Sequence, residues 1–149
     1  MSTELIYSDA TKLAELIRTR EVSPVEIMKA HLDRIEVVNP KVNAIVTIAE
    51  DALKSAREAE AAVQRGDELG ALHGVPFTVK DSIDTANVQT QRGTPIFKGR
   101  TPDTDATSVA RLKKAGAFCL RKPIFLNSPT VSKATICSPA ERTTPGIWI

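Results

Sequence analysis

Apolar positions in the first half of the chain recur at helical spacing and are interrupted by short β-branched runs. Leu13, Leu16 and Ile17 follow at i, i+3, i+4 after Ser8 and Asp9, either of which can cap a helix. The next start is sharper. Ser23 can cap, Pro24 suits the first helical position and Glu26 completes a capping box, after which Val25, Met28, Leu32 and Ile35 line one face. Asn39-Pro40 is expected to stop this helix, because the residue before a proline is pushed out of the α region. The run from Val42 to Ile48 reads as a buried strand. Residues 50–64 predict the best helix: Ala52, Ala56, Ala59 and Val63 form a narrow stripe, and Gly66 can cap the end.

His73 to Asp81 reads as a loop entering a second strand, Phe77 to Lys80. Residues 82–103 show no period and are expected to be irregular, with turns at Gly93-Thr94-Pro95 and Thr101-Pro102. Thr104 or Asp105 is placed to cap a fourth helix carrying Val109 and Leu112, which Gly116 ends. Ala117 to Leu120 opens a third strand. Strands alternating with helices predict an α/β domain with a largely parallel sheet, and no internal repeat is visible. Beyond about residue 120 the period stops, and Ser, Thr and Pro dominate. Residues 121–149 therefore read as a divergent tail, mostly disordered or poorly packed, behind a domain spanning 1–120.

Composition narrows the partners. The chain has 149 residues, enough for one domain with a core, and its 42% hydrophobic and 26% charged content is ordinary for a globular protein. A net charge of +2 gives no reason to expect direct nucleic-acid binding. No apolar run approaches the roughly 20 residues that span a bilayer, so no membrane partner is expected. The N-terminus lacks a basic stretch followed by an apolar one, and a cytoplasmic location is expected. Cys119 and Cys137 do not make a disulfide framework; two unpaired thiols in a reducing cytosol are the expectation. No cluster resembles a metal site, and no cofactor is expected. Both cysteines and Trp148 lie within residues 119–149, where Arg121, Lys122, Lys133 and Arg142 face Glu141 alone.

Lys80 is the residue with chemical promise. It ends an apolar strand, and ligands in open α/β sheets bind at the carboxyl ends of strands. Desolvation at such a place favours the neutral amine, which can act as a general base. The ordinary alternative is a strand-end lysine that reaches solvent, perhaps pairing with Asp81.

The pattern Gly70-x-Leu72-x-Gly74-x-Pro76-x-x-x-Lys80-Asp81 resembles the opening motif of the amidase signature family. Its surroundings are similar too. Glu21 to Glu26 and Val42 to Ile45 look like that family's N-terminal helices and first strand, and Gly93-Thr94 falls in its Gly- and Thr-rich loop. Asp105, Thr107, Val109, Leu112 and Ala115 to Ala117 look like its next helix and strand. Each motif alone is weak; their order and spacing together are specific. The resemblance covers residues 1 to about 120. It implies the N-terminal part of an α/β/α fold, a mixed sheet flanked by helices, incomplete in this chain.

It also implies an amide hydrolase acting on small-molecule carboxylic amides through a Ser–Ser–Lys triad with Lys80 as base. A bridging serine relays the proton of a nucleophilic serine to the neutral lysine, an acyl-enzyme forms, and water completes hydrolysis. The need for a neutral amine implies an alkaline optimum. The family's catalytic serines come from a Gly- and Ser-rich stretch that is not present in these residues, so this chain alone is expected to be inactive and marginally stable. Two alternatives stand beside this reading. One is a portion of the A-type subunit of a glutamyl-tRNA(Gln) amidotransferase; the other is a non-catalytic binding module derived from an amidase.

Other candidates are weaker. Ser82 lies two residues from Lys80 and would share its face in a strand, which makes a local Ser–Lys dyad conceivable beside the plainer reading of a turn serine. Ser128, Ser132 and Ser138 sit outside any glycine-rich turn, and His31 and His73 are expected to have structural roles. In the tail, Leu120 to Leu126 stands where the family has a Gly-Lys-x-Asn-x-x-Glu-Phe type of segment. With third bases chosen freely, codons for Phe125 to Ile149 can be written so that another frame spells Pro-Glu-Phe and, later, Thr-Asn-Asn-Pro-Trp, as the family does here. The expectation is a small insertion or deletion near codons 119–123 that shifts the frame.

Overall fold

In a computed structural model of the protein, residues 2–49 and 51–123 are described. Along the chain come α1 (Ser2–Tyr7), α2 (Ala10–Arg18), α3 (Pro24–Val42), β1 (Ile45–Ile48), α4 (Ala52–Arg65), β2 (Pro76–Thr78), a 3-10 turn (Pro95–Phe97), α5 (Thr107–Lys114) and β3 (Phe118–Pro123).

The helix starts follow local chemistry. Asp9 caps α2 by accepting from the Lys12 amide at 2.8 Å. Both halves of the capping box are present at α3: the Glu26 amide donates to Ser23 Oγ at 3.1 Å, and the Ser23 amide donates to Glu26 Oε2 at 2.9 Å. All four residues of the predicted α4 stripe, Ala52, Ala56, Ala59 and Val63, are buried.

Several boundaries differ from expectation. Helix α3 does not stop at Asn39-Pro40 but runs to Val42 with Pro40 inside its last turn. Asn43 ends it instead, in the left-handed region at φ 45°, and its amide donates to Asn39 O at 2.7 Å. The Asn39 side chain then holds the start of β1, bonding both the amide and the carbonyl of Ile45. Residues 42–44 are thereby removed from the predicted strand. Helix α5 starts at Thr107 with no side-chain cap, because Asp105 is engaged elsewhere. Strand β2 ends at Thr78, so Lys80 lies two residues past it.

The strands are ordered β1-β3-β2, with β2 parallel and β1 antiparallel to β3. The largely parallel sheet expected from alternation is thus a mixed one. The β2–β3 connection contains α5, as a parallel crossover requires, but alternation does not dictate the direction of an edge strand. Both pairings carry a register shift, between Ile45 and Thr47 and between Phe77 and Thr78.

Helices cover both faces. Met28 and Ile35 of α3 and Ala52 and Ala56 of α4 pack on Phe118 and Leu120 of β3. On the other side Val109 of α5 packs with Phe77, Val79, Ala117 and Cys119. A third cluster joins Leu13, Ala14 and Ile17 of α2 to Ile27, Val63 and Val75. Strand β3 continues to Pro123, and Lys122 within it is fully buried. Residues 124–149, which include Ser128, Ser132, Ser138, Cys137 and Trp148, lie outside the described residues. Among those described, no helix is long and apolar enough to cross a membrane.

Candidate active site

The glycine-rich approach to Lys80 is zipped against the turn that follows α5. The Leu72 amide donates to Ala115 O at 2.9 Å, and the Gly74 amide to Gly116 O at 3.0 Å. A Cβ at Gly70 would stand 2.4 Å from Ala115 O, so only glycine permits this approach. Gly74 has φ +75°, and a Cβ there would also press on Pro24 Cγ at 2.8 Å. The motif therefore ties β2 to the start of β3 and to the head of α3. It sets where the chain leaves the sheet and thus where Lys80 stands.

Lys80 follows the buried Val79 and is itself exposed among the described residues. Its exposure is that of the ordinary alternative, a lysine that reaches solvent, because the strand has already ended at Thr78. A turn follows, marked by the Ile83 amide donating to Lys80 O at 2.9 Å. Ser82 lies within that turn and not in a strand, so the shared face that a Ser82–Lys80 dyad needs is absent. The plainer reading of Ser82 holds.

Immediately after Lys80 the chain becomes polar and buried. Asp81 is 2% exposed, and its two carboxylate oxygens accept from the Gln91 and Gly93 amides, each at 3.1 Å. Asp84 takes a two-pronged bond from Arg100, at 2.8 and 2.7 Å, and a weaker one from Arg92 at 3.2 Å. The Arg100 guanidinium, with help from Arg92, holds the Asp84 carboxyl well below the usual carboxylate range. The same two arginines flank the Phe97 ring at 5.6 and 5.9 Å. Asp105 accepts from the Ala86 amide and from Lys113 Nζ, all at 2.8 Å. A shallow, open depression of about 470 Å³ lies beside this loop, lined in part by Ser82, Asp84, Arg92, Asp105 and Ser108.

The two histidines have structural partners, as expected. His31 Nδ1 lies 2.9 Å from Ile27 O, and His73 Nε2 lies 2.9 Å from Ala59 O. Among the described residues no group of His, Cys, Asp or Glu could hold a metal ion. One residue that sequence reasoning missed is Lys122, treated above as part of the tail. Its Nζ donates to Ile83 O at 2.8 Å and to Thr90 Oγ1. A signal was available: with period-two alternation Lys122 shares a face with Phe118 and Leu120, both core residues.

The segment thus presents an exposed lysine just past a strand end, beside a loop organised by Asp81, Asp84 and Asp105, on a mixed sheet between helices. Comparison with known proteins specifies the class. The family described as Amidase matches residues 26–125. The chain is 44% identical over 115 residues to the A-type subunit of the glutamyl-tRNA(Gln) amidotransferase of Carboxydothermus hydrogenoformans, covering 76% of this chain and 24% of that protein. It is 42% identical over 112 residues to the indoleacetamide hydrolase of Bradyrhizobium diazoefficiens, covering 74% and 21%. Its fold is similar to that of the peptide amidase of Stenotrophomonas maltophilia, with a TM-score of 0.74 at 33% identity, covering 78% and 24%. The chain belongs to the amidase family, and it spans about a quarter of the length of these relatives.

Proposed function

We propose that this segment supplies the general base of an amide hydrolase, and that Lys80 is that base. The observation that carries the reading is the placement of Lys80: it lies two residues past β2, between the zipped glycine motif and the anchored Asp81, in a chain of the amidase family. The reaction is hydrolysis of a carboxylic amide C–N bond. The neutral Lys80 amine takes a proton through a bridging serine from a nucleophilic serine, whose oxygen bonds the amide carbon. The C–N bond breaks as the proton passes to the leaving amine, and water then cleaves the resulting ester. Both serines belong to sequence outside these 149 residues, so the chain by itself hydrolyses no amide.

Similarity to the A-type subunit of an amidotransferase supports a second reading, in which the ammonia released is passed on to a mischarged tRNA within a larger assembly. Its distinguishing result is ammonia transfer that requires further protein chains.

The proposed origin of the tail, residues 121–149, of which 126–149 lie beyond the family match, is an out-of-frame translation that begins near codons 119–123. Sequencing the gene through codons 115–150 and several hundred bases further tests this. The expected result is a second frame that runs on into a Gly- and Ser-rich stretch; its absence overturns the frameshift. The polypeptide of that frame is then assayed for ammonia release from a panel of amides. Lys80→Ala is expected to lower the rate by about 10³-fold or more, within the range of general-base effects. An unchanged rate overturns the role of Lys80. A serine-directed fluorophosphonate probe is expected to leave the pure 149-residue chain unlabelled.

A further inference from the structure

We propose that Lys122 is a positioning residue for Lys80: its buried side chain, reaching across from β3, clasps the loop of residues 81–93 on which the placement of Lys80 depends. This rests on the reading of Lys80 as the base.

The geometry carries the inference. Lys122 is 0% exposed, and among the described residues it is the largest of the side chains buried to this degree. Its Nζ bonds two points of one loop, Ile83 O at 2.8 Å and Thr90 Oγ1. Thr90 is itself 0% exposed, and its hydroxyl proton goes to Val88 O at 3.0 Å, which leaves its oxygen to accept from Lys122. The Ile83 amide in turn bonds Lys80 O, so one residue lies between the lysine clasp and the Lys80 backbone. Asp81 grips the same loop from inside through Gln91 and Gly93. Two buried groups, Lys122 and Asp81, thus bond the loop of residues 81–93 at four points, Ile83, Thr90, Gln91 and Gly93.

Energetics argue against a filler role. Burial lowers the Lys122 pKa from its ordinary value, and the Asp81 carboxylate opposes that shift. An amine held in a core is destabilising relative to a methionine of similar length, so packing alone does not call for lysine here. What methionine lacks is the pair of directed bonds to Ile83 and Thr90.

The test uses hydrogen–deuterium exchange on the 149-residue chain, with Lys122→Met, Lys122→Arg and Thr90→Val, and steady-state kinetics of the same variants in the longer polypeptide of the second frame. A second frame that keeps no lysine at this place in β3 overturns the positioning role. Lys122→Met is expected to speed exchange across residues 81–93 by about tenfold or more while α2, α3 and α4 keep their protection. Lys122→Arg, which retains donors, is expected to restore part of it. In the kinetics, kcat falls and KM holds, because the base is displaced and the substrate contacts are not. Thr90→Val leaves the lysine in place and removes one acceptor, and it serves where Lys122→Met does not fold. Unchanged loop exchange, or acceleration spread evenly over the whole chain, overturns the clasp. Full activity in Lys80→Ala overturns the role of the base instead, while the exchange pattern still decides the clasp.

Discussion

The helical layer and the loop after Lys80 are stabilised in different ways. Helices α2, α3 and α4 are held by apolar stripes, with Ile17, Ile27, Met28 and Ala56 at or below 1% exposure. Their caps bond within three residues, as at Asp9 and Ser23. Residues 81–105 have little regular structure and are held by directed polar bonds. Asp81, Asp84, Asp105 and Lys122 each reach residues eight or more positions away. Apolar packing is forgiving of direction and strong in sum; a buried polar bond is weaker but fixes a position. The difference teaches how the segment divides its work: the helices supply stability, and the polar loop fixes positions, among them, on the proposed reading, that of Lys80.

This contrast can be broken or sharpened by substitution. The largest effect is expected at Met28, which is 0% exposed between α3, α4 and β3. Met28→Ala should lower stability by about 2–5 kcal/mol, read as an earlier urea midpoint by far-ultraviolet circular dichroism, with exchange rising in every element. A smaller, local effect is expected at Asp81. Asp81→Ala leaves the half-buried Gln91 and Gly93 amides without their acceptor, a loss of about 2 kcal/mol. Exchange should rise at residues 81–93 and hold in α2 to α4. Equal loosening of both regions would show that the loop and the helices form one cooperative unit and would end the comparison.

The smallest effect concerns acid. The folded-state pKa of Asp84 lies below its ordinary value of 3.8, chiefly through Arg100. A carboxylate lowered by folding contributes stability that is complete above the unfolded value and is lost as pH falls through the folded one. Proteolysis of the 84–100 segment by an acid-active protease should therefore quicken below about pH 4. In Asp84→Asn the segment should be looser at neutral pH and should lack that acid step. An unchanged acid step in the variant would assign it to another carboxylate.

Particular residues show how far reading the sequence reaches. The α4 stripe, the Ser23–Glu26 box and the glycine motif before Lys80 were legible because each is a short-range pattern with one low-energy solution. The end of α3 was misplaced. The penalty on Asn39 before Pro40 is real, but the bonds Asn39 makes to Asn43 and Ile45 offset it. Asp105 looked like a helix cap and serves Ala86 and Lys113 instead. For Lys80 both a desolvated and a solvent-reaching side chain were open in the sequence, and where β2 ends decides for the second.

By itself the sequence determined that α2 to α5 form, how α2 and α3 start and how α4 ends, and the family motif that marks Lys80. These depend on residues three or four apart, whose preferences act before any long-range contact forms. Only the tertiary structure decided that β1 runs antiparallel to β3, that Asp81 folds its loop inward and that Lys122 is buried. Lys122 meets partners 39 and 32 positions away. No local preference encodes such a bond: its free energy exists only once packing has removed water from both of its ends.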